Sequence, residues 1–154
     1  MKYLEGKRPE GCVFCAKIRS DEDRKNLVLC RGKQAGVVMN LYPYNTGHVM
    51  VIPYAHVSRP ADLDMETQTE MLSLVNKTME VLQKVMNPEG FNIGANLGRA
   101  AGAGIDEHLH VHIVPRWNGD TNFMAVFSET RVVPELLEDT YNKLKPLFDE
   151  LGGQ

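Results

Sequence analysis

The 154-residue sequence predicts an α+β domain, an antiparallel sheet carrying one crossover helix and a C-terminal helix. Three observations predict it. Short apolar segments separated by turn chemistry crowd the first third of the chain, one long stretch repeats its apolar residues at helical spacing, and residues 108–113 alternate strictly between histidine and an aliphatic side chain.

Taken in order, residues 1–10 are basic without an apolar core and are expected to be a flexible start, leaving one domain over 11–151. A short turn or helix is expected around 12–20. Strands follow at 26–31 and 35–40, separated by Arg31-Gly32-Lys33-Gln34, which is a hairpin signal. Leu41-Tyr42-Pro43-Tyr44-Asn45-Thr46-Gly47 is turn chemistry, because Pro fixes one backbone angle while Asn and Gly tolerate unusual ones. A third strand runs from His48 to Pro53. Between 66 and 86, Leu72, Val75, Met79, Leu82 and Met86 recur at steps of three and four, the spacing of one helix face, and Pro88 and Gly90 end it. Met71, Met79 and Met86 are read as core. Phe91 to Leu97 reads as a strand, Gly98 to Gly104 as a loop, and His108 to Pro115 as the last strand. A final helix is expected from Pro134 to Leu151, with proline tolerated in its first turn.

Bulk properties narrow the function. At this size a single core needs no disulfides. Apolar content of 43% and charged content of 24% are those of a soluble globular protein, and the apolar runs are too short to cross a bilayer. The N-terminus lacks the apolar core of a secretory signal, so a cytoplasmic location and no membrane partner are expected. A net charge of -3 argues against nucleic acid as a partner but permits a small anion in a local pocket. Three cysteines make a disulfide framework improbable. Cys30 reads as a buried thiol, and Cys12 and Cys15 form a C-x-x-C pair.

Three of the chain's five histidines fall within five residues. On a strand, His108, His110 and His112 point one way, about 6.5–7 Å apart, while Leu109, Val111 and Ile113 point the other way into a core. Packing alone would favour Val or Ile at such positions. Two chemistries fit. Three imidazoles can hold a catalytic zinc that activates water, or one neutral imidazole can act as a nucleophile while its neighbours orient it and manage protons. The spacing does not choose between them.

The run Glu107-His108-Leu109-His110-Val111-His112-Ile113-Val114-Pro115-Arg116-Trp117 resembles the signature of the histidine-triad (HIT) superfamily. Upstream, Asn40-Leu41-Tyr42-Pro43-Tyr44-Asn45-Thr46-Gly47-His48-Val49-Met50-Val51-Ile52-Pro53 resembles that family's nucleoside-binding strand, loop and Gly-His strand. The likeness covers most of residues 11–150. Asn-Leu-Tyr-Pro-Tyr-Asn and Pro-Arg-Trp-Asn-Gly-Asp-Thr-Asn-Phe are most similar to the bacterial branch of diadenosine tetraphosphate phosphorylases.

The resemblance implies a HIT-like fold and an enzyme that cleaves dinucleoside polyphosphates at the α-phosphate through a nucleotidyl-histidine. His110 is then the nucleophile, His112 contacts phosphate and assists proton transfer, and His48 lies beside them. Asn40 is implied as the ribose ligand, with Asn96, Gly104, His112 and Trp117 further contacts to the nucleotide. Cys12, Cys15, His56 and His108 match the family's structural zinc set, and no organic cofactor is implied. A homodimer is implied as well. The family's Gln and Ser or Thr before the first histidine are absent, the stretch here reading Ala101-Gly102-Ala103-Gly104-Ile105. Backbone N–H groups of a Gly-rich loop can cradle phosphate in their place. Inorganic phosphate is favoured over water as the second acceptor. A nucleotide-binding regulatory module and a three-His zinc hydrolase are the competing readings.

Overall fold

The structure is a computed structural model that describes residues 11–120 and 135–152. The expected flexible stretch 1–10, the 121–123 part of the phosphorylase-like tail and Pro134 lie outside the described residues. The elements are α1 (Val13–Arg19), α2 (Asp23–Asn26), β1 (Val28–Arg31), β2 (Ala35–Met39), β3 (Val49–Pro53), α3 (Met65–Met86), β4 (Gly90–Gly94), β5 (Val111–Arg116) and α4 (Leu137–Gly152). All strand pairs are antiparallel, in the order β1-β2-β3-β5-β4. After β3 the chain crosses through α3 and lays β4 one place too far out, and β5 then fills the gap. The triad strand is thereby central, with Met50 of β3 on one side of His112 and Gly94 of β4 on the other.

The long helix forms where its boundaries are chemically marked. Asp64 caps α3 by accepting from the Thr67 N–H at 2.7 Å, and Asn87 ends it in the left-handed conformation at φ 47. Its buried face is Thr67, Met71, Leu74, Val75, Thr78, Val81 and Leu82. Leu72, expected on that face, is 63% exposed, because each residue advances the helix by ~100° and Met71 already points inward.

The two faces of the sheet have different fates. Leu29, Val37, Met39, Val49, Val51, Leu109 and Ile113 pack under α3 and α4, against Leu82, Tyr141, Leu144 and Phe148. On the opposite face, Val28, Val38, Met50 and Ile52 are covered by Phe14 of α1, with Ile18 and Ile105 beside it. This second cover stops short of β4, where Asn92 and Gly94 are exposed. Among the described residues, one face of the sheet is therefore half roofed.

Several boundaries depart from the sequence reading. The ladder of β5 starts at Val111, three residues later than expected, and ahead of it the Leu109 N–H donates instead to the Val57 carbonyl, in the chain leaving β3, at 2.6 Å. The side-chain alternation nevertheless continues through 108–110, with Leu109 in the helix-side core. β4 ends at Gly94 rather than Leu97. Asp23–Asn26 is a helical turn closed by Leu27 at φ 59, so β1 begins at Val28 and not at 26. Cys30 is half-buried against the helix-side core, and burial raises its thiol pKa. Among the described residues no helix is long and apolar enough to cross a membrane.

Candidate active site

The triad histidines all turn toward the α1 side of the sheet but do different things. His110 is 6% exposed, and its Nδ1–H donates to the carbonyl oxygen of His108 at 2.8 Å. A neutral imidazole has one N–H, so Nε2 is left with a bare lone pair. Burial lowers the His110 pKa, the hydrogen bond to the backbone partly opposing it, so the neutral form holds at physiological pH.

His112 and His48 form a relay. The Tyr44 N–H donates to His48 Nδ1 at 3.0 Å, which places the His48 proton on Nε2, 2.9 Å from His112 Nδ1. His48 therefore donates to His112, and the remaining proton of His112 sits on Nε2. Burial and the neighbouring imidazoles push His48 down to about 3; burial and His110 push His112 down to about 4. The rings of His110 and His112 meet edge to face at 4.8 Å, closer than strand spacing alone suggests because the side chains lean together. A bare Nε2 beside an N–H donor is the pairing that nucleophilic attack and protonation of a leaving oxygen require.

His108 is turned away from this pair. Its Nε2–H donates to the Pro53 carbonyl at 2.9 Å, leaving Nδ1 bare at 3.3 Å from Cys12 Sγ and 3.5 Å from Cys15 Sγ. His56 Nδ1 lies 3.4 Å from Cys15 Sγ. One donor atom from each of Cys12, Cys15, His56 and His108 falls within 4.8 Å of the others, and this set could hold a metal ion. Two thiols and two imidazoles suit a tetrahedral, borderline-soft ion. Among the described residues the three triad imidazoles do not form such a set, so the geometry does not support three-His metal hydrolysis.

The other expected site residues are distributed as follows. Half-buried Asn40 directly follows β2, its side-chain oxygen accepting from the Tyr42 N–H at 2.9 Å and its Nδ2 lying 3.3 Å from His48 Nε2. Asn96 and His112 line a cleft of about 420 Å³ together with Tyr44, Asn92, Gly94 and Arg116. Gly104, in the exposed loop, and Trp117, whose N–H donates to the Asp120 carboxylate at 3.0 Å, do not line it.

Two residues missed from sequence support the triad. Phe14 lies between the two cysteines on α1 and packs on His110 at 4.9 Å and on His108 at 5.6 Å between ring centroids. Tyr44 fixes the His48 tautomer through its backbone and lays its ring 4.7 Å from His48. The i, i+4 step from Tyr44 to His48 across Asn-Thr-Gly is the signal that could have found it. No sequence signal distinguishes Phe14 from an ordinary core residue.

One imidazole with a bare Nε2, a second with an N–H beside it and a third facing a cysteine pair give the His-x-His-x-His motif a defined geometry, and comparison with known proteins assigns that motif to a family. The HIT domain profile matches residues 21–119, and the chain is a member of that family. Among its relatives, it is 48% identical over 118 residues to the AP-4-A phosphorylase of Mycobacterium tuberculosis, an alignment covering 77% of this chain and 60% of that protein. The chain thus spans about three fifths of that relative's length. It is 34% identical over 134 residues to an uncharacterised HIT-like protein of Methanocaldococcus jannaschii, covering 87% of this chain and 98% of that protein. A solved Zn-bound histidine triad family protein from Mycobacterium smegmatis superposes with a TM-score of 0.73 at 25% identity, over 93% of this chain and 96% of that one.

Proposed function

We propose that the chain cleaves dinucleoside polyphosphates, diadenosine tetraphosphate first among them, by nucleotidyl transfer through His110. The observation that carries this reading is the His110 Nδ1–H bond to the His108 carbonyl, which leaves Nε2 as a neutral nucleophile next to the proton-bearing His112. Nε2 attacks the α-phosphorus and an N–P bond forms. The bond from that phosphorus to the bridging oxygen breaks, and ATP leaves while His112 Nε2–H hydrogen-bonds phosphate oxygen. Inorganic phosphate then attacks the adenylyl-histidine, giving ADP and free His110, whereas water would give AMP. Covalent catalysis divides one displacement at phosphorus into two.

In this reading Asn40 would bond the ribose hydroxyls, Asn96 and the backbone N–H of Gly104 would meet phosphate, and Trp117 would contact the nucleotide. Phosphorolysis is favoured because the relative at 48% identity is named a phosphorylase, and because Ala101 to Gly104 put small residues where an anionic acceptor needs room. Cys12, Cys15, His56 and His108 would hold a structural zinc ion, a reading supported by the bare Nδ1 of His108 and by the Zn-bound relative. When bound, such an ion supplies a cross-link between α1 and the triad segment. A homodimer joined along the edge strand β4 and the segment after it, where Ile93 and Leu97 are 47% and 46% exposed, completes the reading.

The test is incubation with diadenosine tetraphosphate, with and without phosphate, with separation of the nucleotides and mass analysis of the quenched protein. ADP and ATP in the presence of phosphate, and an adenylate adduct on His110, are expected. His110→Ala should abolish turnover while the fold and nucleotide binding persist. Retained turnover in that variant would sink the covalent mechanism, and equal AMP and ATP in both samples would sink phosphorolysis alone.

A further inference from the structure

Among the described residues, the half of the triad face that α1 leaves uncovered is a cleft. From β5 it presents His112, Val114 and Arg116, and from β4 the residues directly opposite them, Gly94, Asn92 and Gly90. The floor at Gly94 is open, since a Cβ placed there would meet nothing within 4 Å. Arg116 Nη1 donates to Asn92 Oδ1 at 2.8 Å, which turns the Asn92 amide so that its Nδ2 donors are left over. Among the described residues neither that group nor the Asn96 amide has a hydrogen-bond partner. Arg116 is itself paired with Asp120 through two 2.8 Å bonds, so a carboxylate offsets the guanidinium charge at the far end of the cleft.

The direction of chemistry sets what belongs there. Attack at phosphorus runs in line, so the leaving group departs on the side away from His110. From His112 to Arg116 the strand runs about 13 Å at ~3.3 Å per residue. That length accommodates a short phosphate chain followed by a nucleoside, and the volume suits a ligand of that size. We propose that this half-face is the subsite for the departing half of the substrate, with the phosphates crossing Gly94 beside Asn96 and the uncharged nucleoside meeting the amide of Asn92. The proposal rests on the dinucleoside polyphosphate reading above.

The test compares two substrates that share the adenylyl group: diadenosine tetraphosphate, and adenosine 5′-phosphoramidate, whose leaving ammonia cannot reach Asn92. Both are assayed with the wild type, Asn92→Ala and Asn92→Leu. Asn92 is exposed, and thermal melts confirm that the variants fold. The ratio of kcat/KM for the tetraphosphate to that for the phosphoramidate should fall about tenfold in both variants, as expected for losing a hydrogen bond of ~1.4 kcal/mol. An unchanged ratio, whether the two activities fall together or neither falls, overturns the subsite while leaving the nucleotidyl-transfer reading intact. A wild type that turns over the phosphoramidate but not the tetraphosphate overturns that reading and the subsite with it.

Discussion

The substitution His112→Asn should flatten the acid sensitivity of folding. In the wild type, burial and His110 hold His112 down to about 4, whereas the unfolded chain protonates its histidines near pH 6.5. A folded pKa below the unfolded one means that the unfolded state binds protons first as pH falls, so stability is lost from about pH 6.5 downward until the folded group titrates too. Between pH 7 and 5 the unfolded histidine gains most of one proton and folded His112 about a tenth; at ~1.4 kcal/mol per pKa unit this removes about 2 kcal/mol. The introduced asparagine has no such proton, and its side-chain oxygen would stand where Nδ1 accepts from His48, so the relay's other bond is kept. The assay is urea unfolding of both proteins at pH 7 and pH 5. The wild type should lose about 2 kcal/mol more than the variant over this interval. The Cys12, Cys15, His56 and His108 cluster is common to both, so its own acid response cancels. Parallel losses in the two proteins would refute the idea that His112 is held neutral by its surroundings.

Two further outcomes test the frame around the triad. Protein purified without added metal should contain about one zinc per chain, and Cys12→Ser with Cys15→Ser should remove it together with thermal stability; metal analysis that finds none in the wild type would remove zinc from the site. Gly47→Ala should cost about 2 kcal/mol or more, because Gly47 sits at φ +79 and an added Cβ would meet Met86 Sδ at 2.7 Å and Leu82 at 3.2 Å; an unchanged melting temperature would contradict this.

What is legible in the sequence is whatever a period or a punctuating residue encodes. Alternation over 108–113 reveals which side chains share a face even where the ladder does not reach, because facing depends on local backbone extension and not on pairing. Pro88 and Gly90 mark the end of α3. The turn at Asp23–Asn26 escapes such a reading because its four polar residues carry no apolar stripe, and Leu27 in the left-handed region is a conformation that its residue type does not announce. Leu72 is misplaced by periodicity because stripes one residue apart both satisfy helical spacing. At the site, residue types point to the triad and the cysteine pair, but the proton positions are hidden. They depend on backbone groups, the Tyr44 N–H and the His108 carbonyl, which nearly every residue possesses and which only folding brings into place.

The His108 carbonyl has a consequence beyond holding one ring. Many imidazole nucleophiles and bases are oriented by a carboxylate, which can be protonated by acid or deleted by one codon change. Here the orienting acceptor is a peptide oxygen that does not titrate near neutrality and survives every side-chain substitution at position 108. A lesion there, such as His108→Ala, would disarm the cysteine–histidine cluster while the acceptor for His110 remained in the chain. The lone pair on Nε2 is thus insulated from the commonest kinds of chemical and genetic accident. The geometry of residues 108–110, held by Leu109 to the Val57 carbonyl and by Phe14 from above, becomes the quantity that selection has to preserve.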